Sequence, residues 1–215
     1  MAIFPYGARE IEHLSARDPA MGALIARVGP IEREAGGDPF AQLISSILSQ
    51  QISGKAAQTI KARLCERCGG ALLPAALDRL EEAEIQQCGV SFRKASYLKG
   101  IARAAVCGEI DFAALPAMED EAVIRTLTTL RGVGRWTAEM LLIFALMRPD
   151  VLSYDDLGIQ RGLGRLYGID RKLTRQEFAR CKARYSPYAT VASFYLWALA
   201  GTGIQSLAAG QVAQD

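Results

Sequence analysis

From Asp38 onward, apolar residues return at intervals of three and four, and no stretch keeps the sustained alternation of a half-buried strand. Phe40, Leu43, Ile44, Ile47 and Leu48 share one face of a helix that Asp38 caps and Pro39 opens. Ser53 is placed to cap a second helix, which turns Ala56, Ala57, Ile60 and Leu64 inward and stops at Gly69-Gly70. Two shorter helices are predicted over Pro74–Leu80 and Glu81–Cys88. A longer one starts at Gly89-Val90-Ser91, carries Tyr97, Leu98, Ile101 and Ala105, and ends at Gly108. Helices over Glu119–Leu130, Gly158–Leu166, Thr174–Arg184 and Pro187–Ala200 complete an all-α set. No internal repeat, low-complexity tract or flexible linker interrupts it.

Composition narrows the function classes. With 215 residues, half of them hydrophobic, the chain has material for one or two compact domains. A formal charge of +2 does not by itself point to nucleic acid, although a local basic patch would serve. No run reaches the ~18 apolar residues of a membrane span, and Met1–Arg9 lacks the pattern of a secretion signal. The expectation is a soluble cytoplasmic protein, nucleoid-associated if bacterial. Five cysteines, of which only Cys65 and Cys68 are closely spaced, form neither a disulfide framework nor a four-thiolate metal site. His13 is the only histidine, which excludes a zinc deaminase site. Serine-hydrolase and phosphate-loop strings are absent.

The chemistry concentrates in Leu130–Gln160. In Leu130-Arg131-Gly132-Val133-Gly134 the glycines permit positive φ and close backbone approach between two helices. The following helix begins near Arg135, so the amides around Gly132–Trp136 suit either a plain helix–turn–helix link or a phosphate oxygen. Asp155 and Asp156 precede an apolar helix, where a carboxylate serves as an N-cap or as a reacting group. Gln50-Gln51 lies between two helices, where a side chain can project. Arg161, Arg165, Arg171, Lys172, Arg175, Arg180, Lys182 and Arg184 read either as a solvated face or as phosphate contacts.

Three pieces together resemble the helix-hairpin-helix DNA glycosylase superfamily, and within it the alkylation-repair branch of 3-methyladenine DNA glycosylases. They are Ser46–Ala57, the hairpin with Trp136, and Tyr154-Asp155-Asp156-Leu157-Gly158, in the family's order, with the likeness running from about Asp38 to Trp197. The resemblance implies two helical lobes with a DNA-binding cleft, residues 1–36 plus 145–215 in one lobe and 37–144 in the other, the helix-hairpin-helix at about 119–147. It places the catalytic aspartate on Asp156 and leaves Asp155 as a capping or orienting neighbour. It makes Gln51 the wedge that enters the duplex, and the base pocket Trp136, Met140, Phe40 and Tyr154. It assigns DNA contacts to Gln50, Ser53, Lys55, Arg131, Gly132, Val133, Gly134, Arg135 and Thr137. The carbonyls of Thr128, Leu130 and Val133 would hold a monovalent cation, sodium or potassium.

In members that also cut the backbone, a lysine stands where this chain has Trp136 and forms a Schiff base with the sugar. Its absence implies a monofunctional enzyme without lyase activity, in which water attacks. Such an enzyme flips an alkylated purine out of double-stranded DNA, excises it hydrolytically and leaves an abasic site. No cofactor is implied. Relatives that hold an iron–sulfur cluster use four cysteines near the C-terminus, whereas only Cys181 follows Cys107 here. Nothing suggests an oligomer or a membrane partner. Met140, where the archetype has tyrosine, and Ala189, in a position often held by arginine, bear on lesion range. Two rival readings are a non-catalytic lesion-scanning protein with the same hairpin and a same-fold glycosylase for a mismatched or oxidised base.

Overall fold

The computed structural model describes residues 2–50, 52 and 54–201. Among them lie helices α1 (Ala8–Arg17), α2 (Pro19–Val28), α3 (Pro39–Ser49), α4 (Gly54–Arg67), α5 (Pro74–Arg79), α6 (Glu82–Gln87) and α7 (Phe92–Val106). These are followed by α8 (Asp120–Leu127), α9 (Arg135–Phe144), α10 (Leu157–Tyr167), α11 (Arg175–Tyr185) and α12 (Ala189–Gly201). The fold is all-α, as the periodicity predicts. Two features escape that pattern. Helices α1 and α2 carry single apolar stripes broken by Gly7, Asp18-Pro19 and Gly29. Strands β1 (Ala2–Ile3) and β2 (Glu34–Ala35) pair antiparallel, Ala2 with Ala35 and Ile3 with Glu34, and are too short to show alternation.

The caps show why helices begin where they do. Asp38, Ser91 and Thr174 each accept an amide of the first turn of their helix, and Glu177 closes a capping box on Thr174. The predicted Ser53 cap lies outside the described residues.

The chain divides into two compact units, one of Met1–Ala35 with Met147–Asp215 and one of Gly36–Leu146. In the second unit, α3 packs on α4, α7 and α9, and α5 and α6 pack on α7. Its core holds Leu43, Ile44, Ile47, Leu98, Leu127, Leu141 and Ile143, all essentially without exposure. Cys65 and Cys68 sit at the end of α4; burial pushes the Cys68 thiol up to about 11, which leaves it protonated at neutral pH.

In the first unit, α12 packs on α10, α2 and α11, and α1 packs on α2 and α11. Helix α12 is apolar all round, as a helix enclosed by its neighbours must be. Helices α10 and α12 approach closely because Gly162 has no side chain: a Cβ there would lie 2.4 Å from the Leu196 carbonyl oxygen. Asp18, only 1% exposed, ties three elements together. Its Oδ1 accepts the amides of Ala20 and Met21 at 3.0 and 3.1 Å, and its Oδ2 accepts the Tyr167 hydroxyl and, at 2.9 Å, Arg184. Tyr167 and Tyr185 share a 2.6 Å hydroxyl contact. Burial pushes both phenols well above their ordinary range, and the hydrogen bond to Asp18 adds to it for Tyr167.

Candidate functional site

The candidate residues divide between the two units. In the first, the loop from Arg148 to Asp155 delivers Asp156 to the N-terminus of α10. Thr190 of α12 fastens its start: its Oγ1 donates to the Arg148 carbonyl at 2.7 Å and accepts the Val151 amide at 2.9 Å. Ser193 Oγ donates to the Val151 carbonyl at 3.1 Å. Farther along, the buried Gln160 donates to the Tyr154 carbonyl at 2.8 Å and accepts the Leu173 amide at 3.0 Å. Short polar side chains from two helices thus take up loop groups that would otherwise be buried unpaired.

Asp156 is 7% exposed. Its Oδ1 accepts the Ile159 amide at 2.8 Å, which makes it the N-cap of α10, and the Trp197 indole N–H at 2.9 Å. Gly158 makes the second bond possible, since a Cβ at that position would sit 2.7 Å from Trp197 Cδ1 and 3.2 Å from Nε1. The helix cap and the indole hold one carboxylate from two directions. One of the sequence expectations changes here. The capping aspartate is Asp156 itself, while Asp155 is exposed and ion-paired with Lys172 at 3.3 Å. Trp197 is the carboxylate's hydrogen-bond donor, a role the sequence alone does not assign. A tryptophan forty-one positions away gives no local signal of that.

Tyr154, expected in the base pocket, is half-buried and held on several sides. Its hydroxyl donates to the Leu173 carbonyl at 3.1 Å, Phe178 meets its ring edge-on, and Lys172 and Arg175 lie 4.3 and 4.5 Å from its centroid. A ring already attended by two cations is a poor platform for a third.

In the second unit, α8, a tight turn and α9 form the hairpin. Gly132 adopts φ +86°, and a Cβ there would lie 2.3 Å from Tyr97 Cδ2, so both its conformation and its contact with the Tyr97 ring require glycine. Gly134 precedes α9 without a side-chain cap. Among the described residues, no acceptor meets the amides of Gly132 and Gly134, which leaves a helix N-terminus open to an anion. Val133 N–H closes the turn on the Leu130 carbonyl at 3.2 Å.

The other expected contacts separate on charge and burial. Lys55 and Arg131 are exposed, with no acidic partner among the described residues. Arg135, by contrast, is paired with Glu121 and, at 2.9 Å, with Glu139, which together hold its guanidinium above its usual range. These pairs brace α8 on α9, and the Arg135 side chain stays about half exposed beside the hairpin. Gln50 also supports the hairpin: its Nε2 donates to Thr137 Oγ1 at 3.3 Å and approaches the Gly132 carbonyl at 3.5 Å. Thr137 is buried as its acceptor.

Trp136 is half-buried in the first turn of α9, and Met140 lies buried one turn farther on the same face. Phe40 does not join them as an open wall. It is 1% exposed and meets Phe112 edge-on, 5.4 Å between ring centroids, within its own unit's core. Gln51, the expected wedge, lies outside the described residues.

Lys94 carries no motif signal, yet its ammonium donates to the carbonyls of Leu48 at 3.0 Å and Gln50 at 2.6 Å. Loss of hydration pulls it below the usual lysine range.

Comparison with known proteins gives a consistent result. The family model described as HhH-GPD superfamily base excision DNA repair protein matches residues 44–187. DNA-3-methyladenine glycosylase 1 of Schizosaccharomyces pombe is 34% identical over 191 residues, covering 86% of this chain and 84% of that protein. The crystal structure of a DNA-3-methyladenine glycosidase from Bacillus halodurans superposes with a TM-score of 0.83 at 38% identity, covering 94% of each chain. The S. pombe 3-methyladenine DNA glycosylase in complex with abasic DNA superposes with a TM-score of 0.79 at 33% identity, covering 88% of this chain and 95% of that one.

Proposed function

Because this chain belongs to the HhH-GPD superfamily of base excision DNA repair proteins, we propose that it is a monofunctional DNA glycosylase that flips alkylated purines out of duplex DNA and hydrolyses their glycosidic bond. Lesions of the 3-methyladenine and 7-methylguanine type suit the chemistry. Alkylation at N3 or N7 leaves the base positively charged, which weakens the glycosidic bond without a general acid, and the transition state resembles an oxocarbenium ion. One fixed negative charge beside the sugar meets that need.

The observation that carries this reading is the carboxylate of Asp156, anchored at Oδ1 by the Ile159 amide and the Trp197 indole. A group held from two directions does not have to reorganise as positive charge develops on the sugar. Asp156 stabilises that charge and aligns the attacking water, and the products are a free base and an abasic site. Trp136 contributes a π-face to an electron-poor purine. It offers no amine for a Schiff base, in keeping with hydrolysis alone.

The hairpin binds the phosphate backbone through the Gly132 and Gly134 amides and the N-terminus of α9, helped by Lys55 and Arg131. The carbonyls of Thr128, Leu130 and Val133 are hard oxygen donors, a chemistry that fits a sodium or potassium ion; such an ion would add positive charge where phosphate approaches. Gln51 fills the stack that the flipped nucleotide leaves. The partner is double-stranded DNA, and the protein works as a monomer.

Release of methylated bases from alkylated duplex DNA, measured for wild type and Asp156→Asn, tests the reading. Asparagine keeps an acceptor for Ile159 and Trp197, so the variant is expected to fold and bind DNA while base release falls by about 100-fold or more. Release unchanged in Asp156→Asn, or DNA binding by the wild type without any base release, refutes it.

A further inference from the structure

Helix α7 reaches both parts of the second unit that the proposed function brings to DNA. At its N-terminus, Ser91 Oγ accepts the Lys94 amide at 3.3 Å, which fixes the residue whose ammonium ties the carbonyls of Leu48 and Gln50. Among the described residues, Lys94 has no carboxylate partner. It is a cation answering the negative end of α3, where the last carbonyls have no helical donor. Three residues on, and so on the same face of α7, the Tyr97 ring lies against Gly132. Between these two supports, the Gln50 side chain crosses to Thr137 Oγ1 and the Gly132 carbonyl. The residue just before Gln51 is therefore held through its backbone by α7 and through its side chain by the hairpin, while the hairpin itself rests on α7.

Resting on the reading of the chain as a base-flipping glycosylase, we propose that Lys94 and Tyr97 are positioning residues that lock the turn ahead of Gln51 and the Gly132–Gly134 hairpin into one rigid piece. Neither touches the reacting atoms. The lock sets Gln50, the residue that leads into the wedge position, against the amides that grip phosphate, so the phosphate grip supports insertion. Loosening it costs activity where a base must be forced out of a paired stack. It costs little where the target is already poorly stacked and the expense of flipping is low.

The test compares wild type, Lys94→Met, Lys94→Arg, Tyr97→Phe and Tyr97→Ala in single-turnover excision of 7-methylguanine. One duplex places the lesion opposite cytosine and the other opposite an abasic site. Lys94→Met removes two charge-assisted hydrogen bonds, and is expected to slow excision about tenfold or more from the paired duplex and less than about threefold from the unpaired one. Lys94→Arg restores donors and recovers most of the rate. Tyr97→Phe keeps the ring and matches wild type, whereas Tyr97→Ala behaves like Lys94→Met.

Amide hydrogen exchange, read separately, should speed up in Lys94→Met at residues 48–50 and also at the hairpin, residues 130–134. Equal losses on the two duplexes, or hairpin exchange unchanged from wild type, overturn the lock. A wild type inert on both duplexes refutes the glycosylase reading, and the exchange comparison still decides on the lock.

Discussion

Replacing Trp197 with phenylalanine removes one N–H and leaves most of the ring. The lost bond is 2.9 Å long and ends on a carboxylate that is 7% exposed, a setting in which a hydrogen bond to a charged group contributes about 1.5–3 kcal/mol. If that bond orients Asp156 for the sugar, single-turnover excision slows by roughly 10- to 150-fold, since ~1.4 kcal/mol is a factor of ten. Substrate affinity should hardly change, because the indole N–H faces the carboxylate rather than DNA. The Ile159 amide still caps α10 through the same oxygen, so the variant should fold. Gly158→Ala attacks the same bond from the other side. Its Cβ would stand 2.7 Å from Trp197 Cδ1, and ordinary carbon contact of ~3.5 Å requires the indole to retreat by roughly 0.8 Å. Two substitutions that break one bond do not add, so the double variant should be about as slow as either single one. Excision within twofold of wild type in Trp197→Phe, or losses that multiply in the double variant, would refute the assignment of Trp197 as the carboxylate's positioning donor.

Gly132→Ala combines a strained positive φ with a Cβ 2.3 Å from the Tyr97 ring, and should destabilise the protein by about 2–4 kcal/mol, read as a lower midpoint in urea. Adding Tyr97→Ala should relieve the clash and leave about 1 kcal/mol of backbone strain. Arg131→Ala should reduce the slope of log K against log salt for DNA binding by about 0.9, whereas Arg135→Ala, whose charge is already met by Glu121 and Glu139, should leave that slope nearly unchanged. Tyr167 and Tyr185 have folded-state pKa values raised by burial, so the unfolded chain releases their protons first. The stability they contribute is complete below about pH 10 and is lost as pH rises beyond it, by at most ~1.4 kcal/mol per pH unit for each. Tyr167→Phe should flatten that alkaline decline in urea titrations between pH 9 and 11.

Features that a single helix carries in its own residues could be read before the structure was known. The Asp38, Ser91 and Thr174 positions, the stop at Gly108 and the Gly132–Gly134 hairpin are signals of this kind, because a cap or a turn is chemistry between near neighbours. What escaped is chemistry between distant residues. Lys94 reads as an ordinary surface lysine of α7, and only the fold brings it to carbonyls forty-four and forty-six positions earlier. Arg135 beside two glycines reads as a phosphate contact, and no neighbouring residue signals the pair it also makes with Glu121 across the hairpin. The pair Asp155-Asp156 offers two equal carboxylates, and burial of one against Trp197 separates them. Phe40 shows the opposite limit: an apolar stripe says which face is covered but not whether a ligand or Phe112 covers it.

The interleaved order of the two units constrains how the chain is made. Met21, Leu24 and Ile25 of α2 leave the ribosome early, yet α10 and α12, which pack on that helix, are synthesised only after the whole of Gly36–Leu146. During translation the middle of the chain has all its own partners to hand and can settle first, while the opening helices have only each other until α10, α11 and α12 arrive to cover the rest of their apolar stripes. Stalled or C-terminally clipped products would keep that stripe exposed, which makes them natural clients for chaperones and proteases.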